Sequence, residues 1–195
     1  NFGLKSWSYD KILPYFKKIE TWSGGENQYR GSFGLLPVNQ SQNNNPLFKA
    51  FLEASLEAGH KINPDMNGEF QEGFGMFDTT IHKGERASVA KYYLHPITNR
   101  KNLKIFSNSF VEKIIFEGKK AIGIEVKTKN KIKKFYAEKE LILSGGSINS
   151  PQLLMLSGVG DGNHLKDKGI NVVHDLKGVG KNLQDHLETY IMQEC

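Results

Sequence analysis

Leu141-Ile-Leu-Ser-Gly-Gly-Ser-Ile-Asn-Ser-Pro-Gln-Leu-Leu-Met-Leu-Ser-Gly-Val-Gly160 is the stretch whose reading decides the fold. A short apolar run meets a glycine pair and passes into a helical pattern opened by small polar residues. Residues 141–143 read as a buried strand, and Gly145 and Gly146 permit a tight turn or a close backbone approach. Ser147 or Ser150 is placed to cap the helix, with Pro151 in the first turn, where its missing N–H is no loss. Such a start exposes free N–H groups and a positive dipole end, which suit a phosphate or an electron-rich ring. Many α/β proteins carry the same strand, glycines and helix without a ligand, so the stretch alone leaves the ligand open.

Upstream of it the hydrophobic period is two. Residues 103–107, 110–116, 121–127 and 132–137 read as successive strands, with a turn at Glu117-Gly118. Downstream come a short helix near 164–168, a strand over 170–174 and a glycine-punctuated loop. Nearer the start, Ile12, Tyr15, Phe16 and Ile19 mark one face of a helix over 8–20, capped by Ser8 or Asp10 and kinked or delayed by Pro14. Residues 21–32 read as a polar, glycine-rich linker, 35–38 as a strand and 39–45 as a loop. Asn45-Pro46 opens a second helix that Gly59 closes. Residues 76–81 favour a strand, and 85–94 a helix ended by Pro96.

The chain has 195 residues, enough for one moderate core or two small ones, and a net charge of +5. Its only arginines are Arg30, Arg86 and Arg100. The densest basic run, 127–134, lacks arginines and interleaved aromatics and reads as a solvated hairpin tip, so no nucleic-acid partner is expected. No apolar stretch reaches the 18 residues of a membrane span, and the one cysteine, Cys195, forms no internal disulfide. The spacing of His60, His82, His95, His164 and His174 gives no metal site. Gly158-Val-Gly-Asp-Gly162 follows a helix instead of a strand and is rejected as a phosphate loop. Asp185, His186 and Ser157 lack the Gly-x-Ser-x-Gly turn of a hydrolase.

The run from Gly146 to Gly160 resembles the second signature of the glucose–methanol–choline (GMC) family of FAD-dependent oxidoreductases. Three further pieces agree in order and spacing: Trp7-Ser-Tyr-Asp-Lys-Ile-Leu-Pro-Tyr-Phe16, Gln71-Glu-Gly-Phe-Gly75 and Gly178-Val-Gly-Lys-Asn-Leu-Gln-Asp-His186. The resemblance covers nearly the whole chain and is closest to the choline-dehydrogenase-like and alcohol-dehydrogenase-like branches. It implies an α+β to α/β fold: a partial, Rossmann-like FAD-binding domain with part of the substrate-binding domain. Residues 1–84 then belong mainly to the substrate-binding domain and 85–160 mainly to the FAD-binding domain. Residues 161–195 form an interdomain segment returning toward the substrate domain.

The resemblance places Val111 against the adenosine of FAD, and Ser144, Gly145 and Gly146 beside its adenosine-diphosphate half. The family usually carries alanine where Gly145 stands, which loosens the turn here. Asn182, Gln184, Asp185 and His186 fall near the flavin and the domain joint, with His186 orienting backbone or cofactor groups. The implied reaction is oxidation of a small-molecule alcohol, choline or a primary alcohol. A histidine base takes the hydroxyl proton, and hydride passes to flavin N5; dehydrogenases of this resemblance often pass the electrons on to quinone-like acceptors. None of this chain's histidines matches that base. The family's Gly-x-Gly-x-x-Gly turn is absent as well, so the chain reads as an internal fragment. Alone it is expected to be marginally stable, inactive and poor at retaining FAD. A hydroxynitrile-lyase-like relative with structural FAD, and a non-catalytic packing module, remain as alternatives. Location stays open between cytoplasm and membrane surface.

Overall fold

A computed structural model describes residues 3–129, 131–192 and 194 of the chain. These fall into two compact units that divide between Lys104 and Ile105. Cys195 and the Asn130 position of the basic hairpin tip lie outside the described residues.

The first unit opens with α1, Tyr9–Ile19. Ser8 takes its N-cap position in extended conformation without a side-chain bond, and Pro14 lies inside the helix. Proline there removes only the N–H that would return to Asp10. Residues 21–32 are not a linker. β1, Glu20–Trp22, pairs in parallel with β2, Leu36–Gln40, and β2 pairs antiparallel with β3, Asp78–Thr79. The connection between β1 and β2 turns on Asn27, whose Oδ1 accepts the N–H groups of Tyr29 and Arg30 at 2.8 Å each. This side-chain turn leaves Arg30 only 3% exposed.

Arg30 is the centre of the unit. Its Nε and Nη2 donate to the two oxygens of Glu20 at 3.0 and 3.2 Å, a forked geometry suited to guanidinium. Nη1 donates to Asp65 Oδ1 at 2.6 Å and to Asp78 Oδ2 at 2.8 Å, while the guanidinium lies 4.3 Å from the centroid of the buried Trp22 ring. Burial lowers the pKa of such a group, but the bonds to Glu20 and Asp78 and the charges of Glu20 and Asp65 outweigh it, so Arg30 is held above its ordinary range.

α2, Pro46–Glu57, follows the sequence reading: Asn45 Oδ1 accepts the Leu47 N–H at 2.9 Å, and Gly59 takes φ +85° just past the end. The strand expected over 76–81 divides into β3 and β4, Ile81–His82. The helix expected over 85–94 begins late. Lys83 (φ 51°) and Gly84 (φ 76°) turn the chain back into β5, Glu85–Arg86, against β4. Two left-handed central residues favour a tight hairpin over a helix start. Helical turns then run from Ala90–Leu94 through His95–Ile97, with Pro96 inside the last of them rather than after it.

In the second unit β6, Phe110–Glu117, β7, Lys120–Thr128, and β8, Lys131–Tyr136, form an antiparallel meander in that order. Gly118 (φ 57°) and Lys119 make the first turn. The expected strand at 103–107 joins no ladder among the described residues. The buried face of the meander centres on Ile114 and Val126. α3, Gly146–Leu156, packs on β6. It leads into β9, Val159–Gly160, then α4, Gly162–Asp167, and β10, His174–Asp175, which pairs in parallel with β9.

The apolar run 141–143 is not the buried strand that its composition suggests. It pairs with no described strand, and Ile142 is 76% exposed. An apolar run becomes a strand only where a neighbour supplies the ladder, and none of the described strands does so here. The helix start also differs from expectation. Gly145 holds the N-cap position, neither Ser147 nor Ser150 caps, and Pro151 is the sixth helical residue. Ser150 Oγ instead reaches back and accepts the Gly145 N–H at 3.0 Å.

The opposite end of α3 is fixed by Ser157, 1% exposed. Its hydroxyl accepts the Ile114 N–H at 2.8 Å and donates to Leu153 O at 2.6 Å. β6 is an edge strand among the described residues, so this hydroxyl satisfies a donor that has no ladder partner. Replacing Ser157 by Ala orphans that N–H, and the expected cost is about 1–3 kcal/mol in chemical denaturation. Arg30→Met leaves three carboxylates without their counter-charge and is expected to cost about 3–5 kcal/mol in the same measurement.

Candidate functional site

The candidate site is built on α3. On one side of this helix the second unit holds a cleft of about 510 Å3. Val111 and Ile124 on the meander and Leu141 and Leu143 on the unpaired run give it apolar walls. Ser144, Gly145 and Asn149 give it a polar edge at the helix start. The residues of α3 that face it include Asn149, Gln152, Leu153 and Leu156, spaced as one side of a helix requires.

The helix start is chemically open. Among the described residues no side chain caps α3, which leaves its first-turn N–H groups and the positive end of its dipole open. Gly146 has φ +84°, and a Cβ placed there would meet nothing within 4 Å. Its freedom is therefore needed for backbone direction alone. Gly145 has ordinary backbone angles, and a Cβ there would lie 3.2 Å from Ser150 Oγ and 3.3 Å from Asn149 Cβ. The expectation that glycine loosens this turn meets a contrary detail, because the Ser150 hydroxyl already holds the Gly145 N–H.

The other side of α3 faces a second cleft, about 430 Å3, lined by Ile148, Pro151 and Met155 of the helix and by Gly180, Asn182 and Gln184. Asn182 has φ 56°. The eight residues singled out by sequence are thus divided. Val111, Ser144 and Gly145 share the first cleft, with Gly146 adjoining them at the helix start, and Asn182 and Gln184 share the second. Asp185 and His186 follow in exposed coil, where Asp185 Oδ1 accepts the His186 N–H at 2.9 Å. No other hydrogen bond or ion pair among the described residues holds these two side chains. Arg86 is exposed on β5. Residues that the sequence did not single out complete the first cleft: Ile124, Leu141, Leu143 and Ser150. Only the alternation of β7 and the apolar run before the glycines foreshadow them.

Among the described residues no group of three or more His, Cys, Asp and Glu side chains is arranged to hold a metal ion, and no helix is long and apolar enough to cross a membrane.

The chain matches the GMC oxidoreductase family model over residues 1–188. It is 51% identical over 193 residues to the mitochondrial choline dehydrogenase of Homo sapiens, covering 99% of this chain and 32% of that protein. It is 49% identical over 193 residues to the oxygen-dependent choline dehydrogenase of Brucella ovis, covering 99% and 35%. Among solved structures, pyridoxine 4-oxidase from Mesorbium loti superposes with a TM-score of 0.79 at 29% identity, over 88% of this chain and 34% of that one. An FAD-dependent oxidoreductase from Chaetomium thermophilum does so with a TM-score of 0.83 at 28% identity, over 90% and 33%. The chain therefore spans about a third of the length of the curated relatives it matches.

The two glycines should respond differently to substitution. Gly146→Ala forces a side chain into the left-handed region and is expected to cost about 1–2 kcal/mol. Gly145→Ala needs only a small shift of Ser150 and is expected to stay within about 1 kcal/mol of wild type. Parallel thermal melts of the two variants check the contrast.

Proposed function

Because the chain belongs to the GMC oxidoreductase family, we propose that the protein it forms part of is an FAD-dependent oxidoreductase acting on the CH–OH group of choline or another small primary alcohol. The observation that carries this reading is the apolar cleft beside the uncapped start of α3, in a chain about half identical to two choline dehydrogenases. The residues present fit the adenosine-diphosphate half of FAD. Apolar walls of Val111, Ile124, Leu141 and Leu143 suit the adenine ring, and the open N–H groups at Gly146 suit a phosphate. Residues 85–160 accordingly take mainly the flavin-binding role and residues 1–84 mainly the substrate-side role, while residues 161–195 lead back toward the substrate domain.

When bound, FAD supplies the two-electron acceptor that oxidation of a carbinol carbon requires. The chain's own residues act on position and environment. The apolar walls would exclude water from an adenine held there, which would strengthen polar contacts at the rim. Ser150, by holding the Gly145 N–H, sets the angle at which the helix start is presented. Asn182 and Gln184 carry amide groups toward the opposite side of α3, and Asp185 and His186 extend that polar segment. The proton-accepting base is not assigned to any residue of this chain. Quinone-like compounds and dioxygen are both candidate electron acceptors; the Brucella ovis relative is named oxygen-dependent.

Anaerobic addition of choline or a primary alcohol to the full-length flavoprotein is expected to bleach the oxidised flavin band. A flavin that stays yellow with every alcohol tested while the protein cleaves a cyanohydrin would replace oxidation with the lyase reading.

A further inference from the structure

One wall of the α3 cleft is held more lightly than the others. Val111 and Ile124 stand on the meander, and Asn149, Gln152 and Leu153 stand on α3 itself. Leu141, Leu143 and Ser144, by contrast, belong to the run 138–144, which makes no hydrogen bond among the described residues. Leu141 and Leu143 are half-buried in the cleft with exposed Ile142 between them. The run thus presents alternate side chains to the cleft with no ladder to fix its register.

Three features loosen the junction between this run and the helix. Gly146 has φ +84°, a conformation that leaves the chain direction to a residue of wide backbone freedom. No side chain caps α3 among the described residues. Pro151, inside the helix, brings no N–H back to the Ser147 carbonyl. One side chain braces the junction. Ser150 Oγ accepts the Gly145 N–H at 3.0 Å, and this is the one hydrogen bond its hydroxyl makes among the described residues. The contact is close as well as polar: a Cβ on Gly145 would lie 3.2 Å from that oxygen and 3.3 Å from Asn149 Cβ. Ser150 is half-buried and lines the same cleft. A cleft with its walls already set binds without first ordering them, and one that is formed in only a fraction of molecules binds more weakly by that fraction.

We propose that Ser150 is a positioning residue for the cofactor: acting through Gly145, its hydroxyl holds the run 138–144 against α3 and keeps the cleft formed before the adenosine-diphosphate half arrives. The assignment rests on the flavoprotein reading above and names the group that organises its site. The test uses apo-protein prepared from the full-length flavoprotein, titrated with FAD and, as a probe of the half concerned, with ADP alone. Ser150→Thr keeps the hydroxyl, Ser150→Val replaces it by a methyl group of nearly the same shape, and Ser150→Ala removes it without added bulk. The Val and Ala variants are expected to weaken both ligands about three- to tenfold, as loss of one modest hydrogen bond implies, and Thr to stay within about twofold of wild type. The bond is exposed, so the Val and Thr apo-proteins are expected to share one denaturation midpoint, which damage to the fold would separate. Wild-type affinity in the Ala and Val variants, a Thr variant no tighter than Val, or a Val midpoint that falls in step with its affinity overturns the assignment and leaves the flavoprotein reading standing. Wild-type apo-protein that binds neither FAD nor ADP overturns both.

Discussion

Arg30 sets the constraint from which the first unit is assembled. Its guanidinium is shared by carboxylates that lie 10, 35 and 48 residues away in sequence. A buried cation with three anions is costly unless it is closely paired, and here four N–H···O bonds and a tryptophan face surround one planar group, while Asp65 Oδ2 and Trp22 Nε1 stay buried without a hydrogen-bond partner among the described residues. The chain between β1 and β2 must deliver Arg30 inward, the loop after α2 must deliver Asp65, and β3 must arrive in the register that presents Asp78. Net charge at this centre is negative, so its value lies in specifying one arrangement of these segments more than in raw stability.

Ser157 plays the corresponding local part in the second unit on a smaller scale. A helix packed on an edge strand leaves backbone donors on that strand facing side chains instead of a ladder. One hydroxyl that both accepts from β6 and donates back to its own helix resolves the mismatch without adding a charge. The same residue type at Ser150 works at the helix start, where it takes the Gly145 N–H and leaves the α3 donors themselves open. A satisfied strand donor and unpaired helix donors thus sit at the two ends of one element.

The sequence was most legible where the signal is local. α2 announced itself through Asn45, Pro46 and Gly59, and β6, β7 and β8 through alternation and the Gly118 turn, because caps, left-handed glycines and period two are properties of neighbouring residues. Legibility failed where the outcome depends on a distant partner. Residues 21–32 look like a polar linker because nothing nearby shows that Glu20, Asp65 and Asp78 converge on Arg30. The run 141–143 looks like a buried strand because composition records hydrophobicity and not the presence of a ladder. At the site, Val111, Ser144 and Gly145 fall into one cleft, whereas Asn182 and Gln184 fall on the opposite side of α3. The chain passes around that helix after it ends, and motif order carries no information about which side it returns to.

The anchoring of α3 at Ser157 has a mechanical meaning. An 11-residue helix is about 16 Å long, so a rocking of about 5° around its Ser157 end would carry the Gly146 end through about 1.4 Å. That displacement is comparable to the difference between a made and a broken hydrogen bond. In that geometry the helix would act as a lever with its fulcrum at the buried Ser157 and its tip at the uncapped start. Repacking around Ile114 or Ser157, far from any ligand, would be transmitted to the tip with amplification.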